Sequence, residues 1–329
     1  MPLYNAERHL TEALDSLLVQ DYQNLELIIS DNASSDATES ICRAYATRDA
    51  RINYLRAETN HGAVWNFNRV SELARGDYFM WAAHDDIRAP GFVSSCVAAL
   101  EARPEAVLCC TEVGFIDESS QDVDPWFQLI PPVGKTYRAR LSAIARARYW
   151  VDFYGLIRRS ALIRSRPAQS VWGFDVVVVT ELCLRGTVLV LPERLFFYRV
   201  NREKTAQFVA SSLGSTDASG PVPVNWSAMT IELLRSVSLA PLHGAQKAAL
   251  IVQLVIQLCV FNGLVGSGIR NDVRANMGAA WAGRRLGRLA ALIVMAALVF
   301  PVQNRLVHGA YRLMRPKKPK QKRTSQTPV

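Results

Sequence analysis

The 329-residue chain has no CxxC pair, no glycine-rich phosphate loop and very little acid in its last third. Its six cysteines, at 42, 96, 109, 110, 183 and 259, are scattered, and two are neighbours in an apolar run. That spacing argues against a disulfide scaffold or a zinc site and fits a reducing compartment. Neither G-x-G-x-x-G nor G-x-x-x-x-G-K occurs, which argues against a nucleotidyltransferase built on such a loop. Residues 226–329 hold 2 Asp and Glu against 15 Lys and Arg, while the rest holds 27 against 23. A mildly acidic front is therefore joined to a strongly basic back, and the back expects an anionic partner, membrane surface or nucleic acid. The tail RPKKPKQKR (315–323) has no interleaved aromatics and no recognition module, so no nucleic-acid partner is expected. Lysine is scarce, 7 against 31 Arg, which with the many alanines suggests a GC-rich bacterial source. No secretory leader is expected, because Glu7, Arg8 and Asp15 interrupt the first stretch. What remains is globular composition, half hydrophobic and 20% charged, in a length that suits about two domains.

The apolar pattern predicts alternating helices and strands. Leu10, Leu14, Leu17 and Leu18 form one stripe of a helix over about 6–19, with Asn5 as its cap. LELIIS (25–30) reads as a buried strand, followed by a helix capped by Ser35 or Asp36 and a strand at 52–55. The turn TNHG (59–62) precedes a helix to about 74, DYFMWAA (77–83) a third strand, and Pro90-Gly91 a helix to about 103. AVLCCTEV (106–113) is a fourth strand, 120–137 a loop, 174–186 a helix ending at Gly186, and TVLVLPE (187–193) another strand. This alternation implies βαβ units and a mostly parallel sheet. Residues 210–225 are Ser/Gly/Pro-rich and read as linker. The apolar runs 248–266 and 289–302 are near or below spanning length, and Gln253, Gln257 and Asn262 count against a span. Three readings stay open for the back: helices on a membrane face, soluble packing helices, or true spans.

In an open α/β sheet, ligands gather at the carboxyl ends of strands. Asp31 and the pair Asp85 and Asp86 fall at such ends. Clustered carboxylates suit Mg2+ or Mn2+, which take one or two carboxylates and complete their shell with water and phosphates. The alternative is local: Asp86 caps the next helix and Asp31 closes a turn.

The run MPLYNAERHLTEALDSLLVQDYQNLELIISDNASSD, with NHGAVWNFNRVSELARGDYFMWAAHDD after it, resembles the front of family 2 glycosyltransferases of the GT-A fold. P-x-Y-N, S-x-x-x-Q, the loop D-x-x-S-x-D (Asp31, Ser34, Asp36), N-x-G and the D-x-D region follow in order, over about residues 1–203. The resemblance implies an α/β GT-A domain over 1–205; beyond it, composition and pattern give a linker (206–226), a helical region for which membrane association is one of the open readings (227–314) and a basic tail (315–329). It implies an inverting, hexosyl-type transferase that moves a sugar from a nucleotide-diphosphate donor, most often a UDP-sugar, to an acceptor hydroxyl on a glycan or lipid-linked molecule. Pro2, Tyr4 and Glu7 would line the nucleotide pocket and Asp31 would bond the base. Asn60, Gly62 and Asn66 would border the donor, Asp85 would serve ribose and metal, and Asp86 the metal, Mn2+ or Mg2+. Asp175 would be the general base, and Arg199 would face the diphosphate.

The chain departs from the family in places. Ala83 stands where a first Asp is common, His84 lies between, Phe174 replaces an acidic neighbour of the base, and Asn201 stands where a His is common. No Q-x-x-R-W follows, which argues against a processive synthase. The family's first strand is expected to be missing before P-x-Y-N, with a working protein that starts further upstream. Trp65, Trp81, Trp126 and Trp150 are candidates for sugar stacking or for core, and 120–137 for an acceptor lid. The expected setting is peripheral, at the cytoplasmic face of the plasma membrane, in cell-surface or exopolysaccharide synthesis. A catalytically inactive membrane-surface adaptor is the alternative.

Overall fold

The computed structural model describes residues 1–125, 129–147, 150–200 and 226–258. The chain begins with β1 (Pro2–Leu3), α1 (Glu7–Leu18), β2 (Leu27–Asp31), α2 (Thr38–Arg48), β3 (Ile52–Arg56) and α3 (Ala63–Leu73). β1, β2 and β3 form a wholly parallel three-stranded sheet in that order. Leu10, Leu14 and Leu17 of α1 bury against Leu3, Leu27, Ile29 and Ile52, so the predicted stripe is the core-facing one. A strand stands where the sequence reading expects none: Met1–Leu3 lies along β2, with Ser30 N–H donating to the Met1 carbonyl at 3.0 Å and Asn32 N–H to that of Leu3 at 2.9 Å.

Next come β4 (Tyr78–Phe79), β5 (Ile87–Arg88), α4 (Phe92–Ala102), β6 (Ala106–Ile116), α5 (Tyr137–Arg146), a 3-10 turn (Val151–Tyr154), β7 (Leu156–Arg158) and α6 (Arg159–Leu162). α7 (Phe174–Cys183) and β8 (Thr187–Arg199) complete a five-stranded sheet of order β4-β7-β6-β8-β5. The long β6–β8 pair is parallel and its flanking strands run antiparallel. The predicted strand over DYFMWAA is cut to Tyr78–Phe79. Beyond it, the Trp81 carbonyl leaves the ladder and accepts from the buried guanidinium of Arg88 at 3.1 Å. Helix, not strand, is confirmed for Phe174–Cys183.

The S-x-x-x-Q signature acquires a mechanical meaning here. Gln20, fully buried, donates to the Ser16 and Ala89 carbonyls at 2.9 and 2.8 Å and accepts the Val93 N–H at 3.0 Å. It therefore fastens the end of α1 to the start of α4, just past Asp85 and Asp86. The predicted caps are exchanged between helices. Asn5 does not cap α1, whose Glu7 N–H goes to Asp36, while the Glu7 carboxylate accepts the Ala37 N–H ahead of α2. Asp36 also accepts from Thr38 N–H, and the Thr38 hydroxyl takes the Ala6 N–H. The N-termini of α1 and α2 thus satisfy each other's orphan donors.

Two further helices, α8 (Trp226–Leu239) and α9 (Gly244–Ile256), pack on α7 and α5. Gln253 of α9 and Gln257 at its C-terminal cap donate to the Arg138 carbonyl and the Ser142 hydroxyl, at 2.8 and 2.6 Å. Among the described residues no helix is long and apolar enough to cross a membrane. The linker, the run 289–302, Trp126, Asn201 and the basic tail lie outside the described residues.

Candidate active site

The loop after β2 is organised by its own side chains. Asp31 Oδ1 accepts from Ser34 N–H at 2.9 Å and from the Ser34 hydroxyl at 2.6 Å, and Oδ2 accepts from Tyr54 OH at 2.9 Å. Arg56 stands 3.4 Å from the same Oδ2. Asp31 is fully buried, so its carboxylate faces the protein and holds the loop's shape, with no surface left open to a base. Asn32, which the sequence reading passed over, does the bridging. Its amide donates to Asn60 Oδ1 at 2.7 Å and to the Gly62 carbonyl at 3.2 Å, and its Oδ1 accepts the His61 N–H at 3.0 Å. This ties the first loop to the TNHG turn, where Gly62 adopts a φ of 85° that side chains disfavour. Buried Asn66 donates to the Leu3 and Ser30 carbonyls at 3.1 and 2.9 Å, and its Oδ1 is buried without a partner. Pro2 is buried beneath this edge, Tyr4 is exposed, and Glu7 serves the helix ends described above.

The second loop carries the acidic pair. Asp86 is buried; Oδ1 accepts the Arg199 N–H at 2.9 Å, and Oδ2 is buried with no hydrogen-bond partner. Burial, with Asp85 next to it, pushes the Asp86 carboxyl up to about 8. Asp85 is half-buried. Arg199 lies behind this loop. Its guanidinium donates to the Asp85 carbonyl at 2.8 Å, to the Asp117 carbonyl, to Glu12 at 2.6 Å and to Ser120 Oγ at 3.0 Å. Its donors face the protein, so in this structure Arg199 braces the acidic loop and is not presented to a diphosphate. Glu12, whose part in this had no motif to reveal it, is the counter-charge.

Asp175 sits in the first turn of α7, where the helix dipole favours a negative charge. Its Oδ1 accepts the Val176 N–H at 2.9 Å, yet burial lifts its carboxyl to about 6. Phe174, in the place of the family's acidic neighbour, packs against Phe67 and Phe153 at ring-centroid distances of 5.1 and 5.8 Å. Phe153 in turn stacks on Trp81 at 4.3 Å and 10°. Trp81 is therefore core, and this aromatic cluster fixes α7 against the strand that leads into Asp85. Tyr154 connects the groups. Its phenol is held well above the usual range by burial, then by Asp86, Tyr198, Asp85 and Asp175, so all three carboxylates act on one side chain.

Beside Tyr154 opens a cavity of about 300 Å³, walled by Phe92, Val113, Leu129 and Phe196 among others, with Glu112 and Asp152 also in its lining. That is the low end of the size range of small-molecule pockets. Asp152 is buried, and burial raises its carboxyl to about 7. Sequence patterning gave no hint of Asp152 or Tyr154, because their importance lies in what packs around them.

Among the described residues no three His, Cys, Asp or Glu side chains form a cage. An orphaned buried Asp86 oxygen beside a second carboxylate still fits Mg2+ or Mn2+, which need only one or two protein ligands when phosphates supply the rest.

The chain is similar to known proteins in sequence and in fold. EpsE of Bacillus subtilis is 38% identical over 102 residues, 31% of this chain and 37% of that protein. The chain thus spans well under half the length of that relative. Among solved structures, TarS 1-349 from S. aureus in complex with UDP-GlcNAc has a TM-score of 0.65 at 16% identity, covering 95% of this chain and 90% of that one. The mannosyltransferase PcManGT from Pyrobaculum calidifontis, in complex with GDP-Man and Mn2+, has a TM-score of 0.52 at 18% identity, covering 95% and 83%. These likenesses establish the GT-A fold. The profile described as glycosyl transferase family 2 matches residues 1–165, half of the sequence, and the chain belongs to that family.

Proposed function

We propose that the chain is an inverting glycosyltransferase that moves a hexose from a nucleotide-diphosphate sugar to an acceptor hydroxyl. The observation that carries the reading is the buried, unpartnered Asp86 Oδ2 beside Asp85, in electrostatic reach of the same tyrosine as Asp175. Asp86 and Asp85 would hold Mn2+ or Mg2+, which when bound neutralises the charge on the departing nucleoside diphosphate. Pro2, Tyr4 and the Asn60–Gly62 turn would border the nucleotide, with Asn66, Asp31 and Asn32 keeping that edge in shape. Asp175 would take the proton of the acceptor hydroxyl as its oxygen bonds to the anomeric carbon and the bond to the diphosphate breaks, and one in-line attack inverts the centre. A carboxylate near pH 6 is ionised at neutral pH and still basic enough for this step. TarS, whose complex contains UDP-GlcNAc, makes a UDP-sugar the first donor to test. The cavity beside Tyr154 would receive part of a glycan or lipid-linked acceptor. Cell-surface or exopolysaccharide synthesis at the cytoplasmic face of the membrane is the setting we favour, from the basic C-terminal third.

The test is a thermal-shift titration with UDP, GDP, dTDP and CDP, each with Mn2+ and with EDTA. A nucleotide at 100 times its Kd stabilises by about 2.7 kcal/mol. A Mn2+-dependent shift with one nucleotide is expected. Asp85→Asn should lose that shift, while Asp175→Asn keeps it and loses turnover. Absence of any shift with all four nucleotides would sink the reading.

A further inference from the structure

We infer that α8 is a clamp on the general base, and that Arg166 is a positioning residue for Asp175; this rests on Asp175 acting as the base. Asp175 is reached through the loop 163–173, and that loop is fixed on α8 at three places. Arg166 Nε donates to Glu181 Oε1 on α7 at 2.8 Å. Its two terminal nitrogens donate to Glu232 Oε2 on α8 at 2.5 Å, and to the Glu232 carbonyl and Ser236 Oγ at 3.1 and 2.8 Å. One guanidinium therefore joins the base-bearing helix to α8. Trp172 meets Trp226 at a centroid distance of 4.1 Å and an angle of 62°. Gly173, next but one before Asp175, adopts a φ of 76°, and a Cβ there would stand 2.6 Å from Met229 Sδ. Behind these contacts Met229, Leu233 and Val237 form a fully buried stripe of α8.

The polar part of this junction is not explained by stability. Glu181 is buried and Arg166 largely so, and a buried ion pair of this kind is often no more stabilising than apolar residues of equal volume. What the fork gives is direction, since a planar guanidinium with four acceptors fixes both helices in one register. Direction matters at a general base, because a misplacement of about 1 Å can cost about 100-fold in rate. Glu181 keeps its second partner, Arg185, at 3.2 Å, so its charge is not left unpaired when Arg166 is replaced.

The experiment uses the full chain and the nucleotide sugar whose nucleotide gives the metal-dependent shift above. Release of nucleoside diphosphate to water is followed, water standing in for the acceptor hydroxyl that Asp175 deprotonates. The charge-balanced pair Arg166→Met with Glu232→Gln is expected to lower kcat about 10- to 100-fold. KM for the donor and the Mn2+-dependent nucleotide shift should stay as in the parent, and the acid limb of kcat should move away from pH 6. Arg166→Lys, which keeps the charge and loses the fork, should fall in between. Ser236→Ala removes a single acceptor and is the variant of choice if the pair does not fold; a several-fold loss of kcat at unchanged KM is expected. A folded variant with parental kcat and an unmoved acid limb overturns the clamp. Asp175→Asn separates the two ideas: full turnover there overturns the base itself, whereas loss of turnover there with full activity of the Arg166 variants overturns only the clamp.

Discussion

Replacing Asp152 by Asn should make the protein more stable at pH 8 and leave it unchanged near pH 4. The carboxyl lies buried at the cavity, and burial raises it from 3.8 to about 7; hydrogen bonds from its own backbone and from the Cys110 thiol offset only part of this. A folded-state value above the unfolded one means the folded chain binds more protons between those two values. Stability therefore falls as pH rises from about 4 to about 7 and is level above that. About three units at about 1.4 kcal/mol each set a ceiling near 4 kcal/mol, and the neighbouring cavity, which admits water, brings the expectation to about 2 kcal/mol. Asparagine has the same shape and no charge to desolvate, so its stability should be flat across this range at this site. Urea unfolding of both proteins at pH 4.5, 6, 7 and 8 gives the difference directly. The gap should open between about pH 4 and 7 and then hold. Two parallel stability curves over the whole range would refute the burial argument for this carboxyl.

Other perturbations probe other links. Turnover should rise with pH through about 6, because Asp175 must lose its proton to act as base, and a pH–kcat profile checks it. Gly155→Ala should fail to give soluble protein or lose several kcal/mol in urea, since a Cβ there would stand 2.6 Å from Cys110 Sγ and 2.8 Å from the Cys109 carbonyl, where β7 meets β6. Asn32→Ala should weaken nucleotide binding in the thermal-shift assay while Asp31 stays buried, because it unties the two loops that Asn32 bridges. Deleting residues 315–329 should reduce flotation with anionic liposomes without altering nucleotide affinity; each basic residue near such a surface contributes about 1 kcal/mol.

The sequence by itself determined the order of α1, β2, α2, β3, α3, β4 and α4, but not β1 or β5, because α1 and β2 carry their apolar periods locally and P-x-Y-N, S-x-x-x-Q and D-x-x-S-x-D sit at fixed offsets from them. It also placed Asp85, Asp86 and Asp175 at element ends. It did not determine which way a polar side chain turns. Asp31 and Arg199 were expected to face the nucleotide, and packing turned both inward: Asp31 meets Ser34 and Tyr54, and Arg199 meets Glu12, 187 residues away in the chain. Asn32, Asp152 and Tyr154 had no motif to mark them, since their significance comes from neighbours supplied by distant segments. The back of the chain shows the limit most clearly. Apolar content alone left α8 and α9 open to a membrane or a protein surface, and only tertiary contact puts α8 against the base-bearing helix and its loop. Periodicity is written residue by residue, whereas the direction of a hydrogen bond depends on partners that folding brings together.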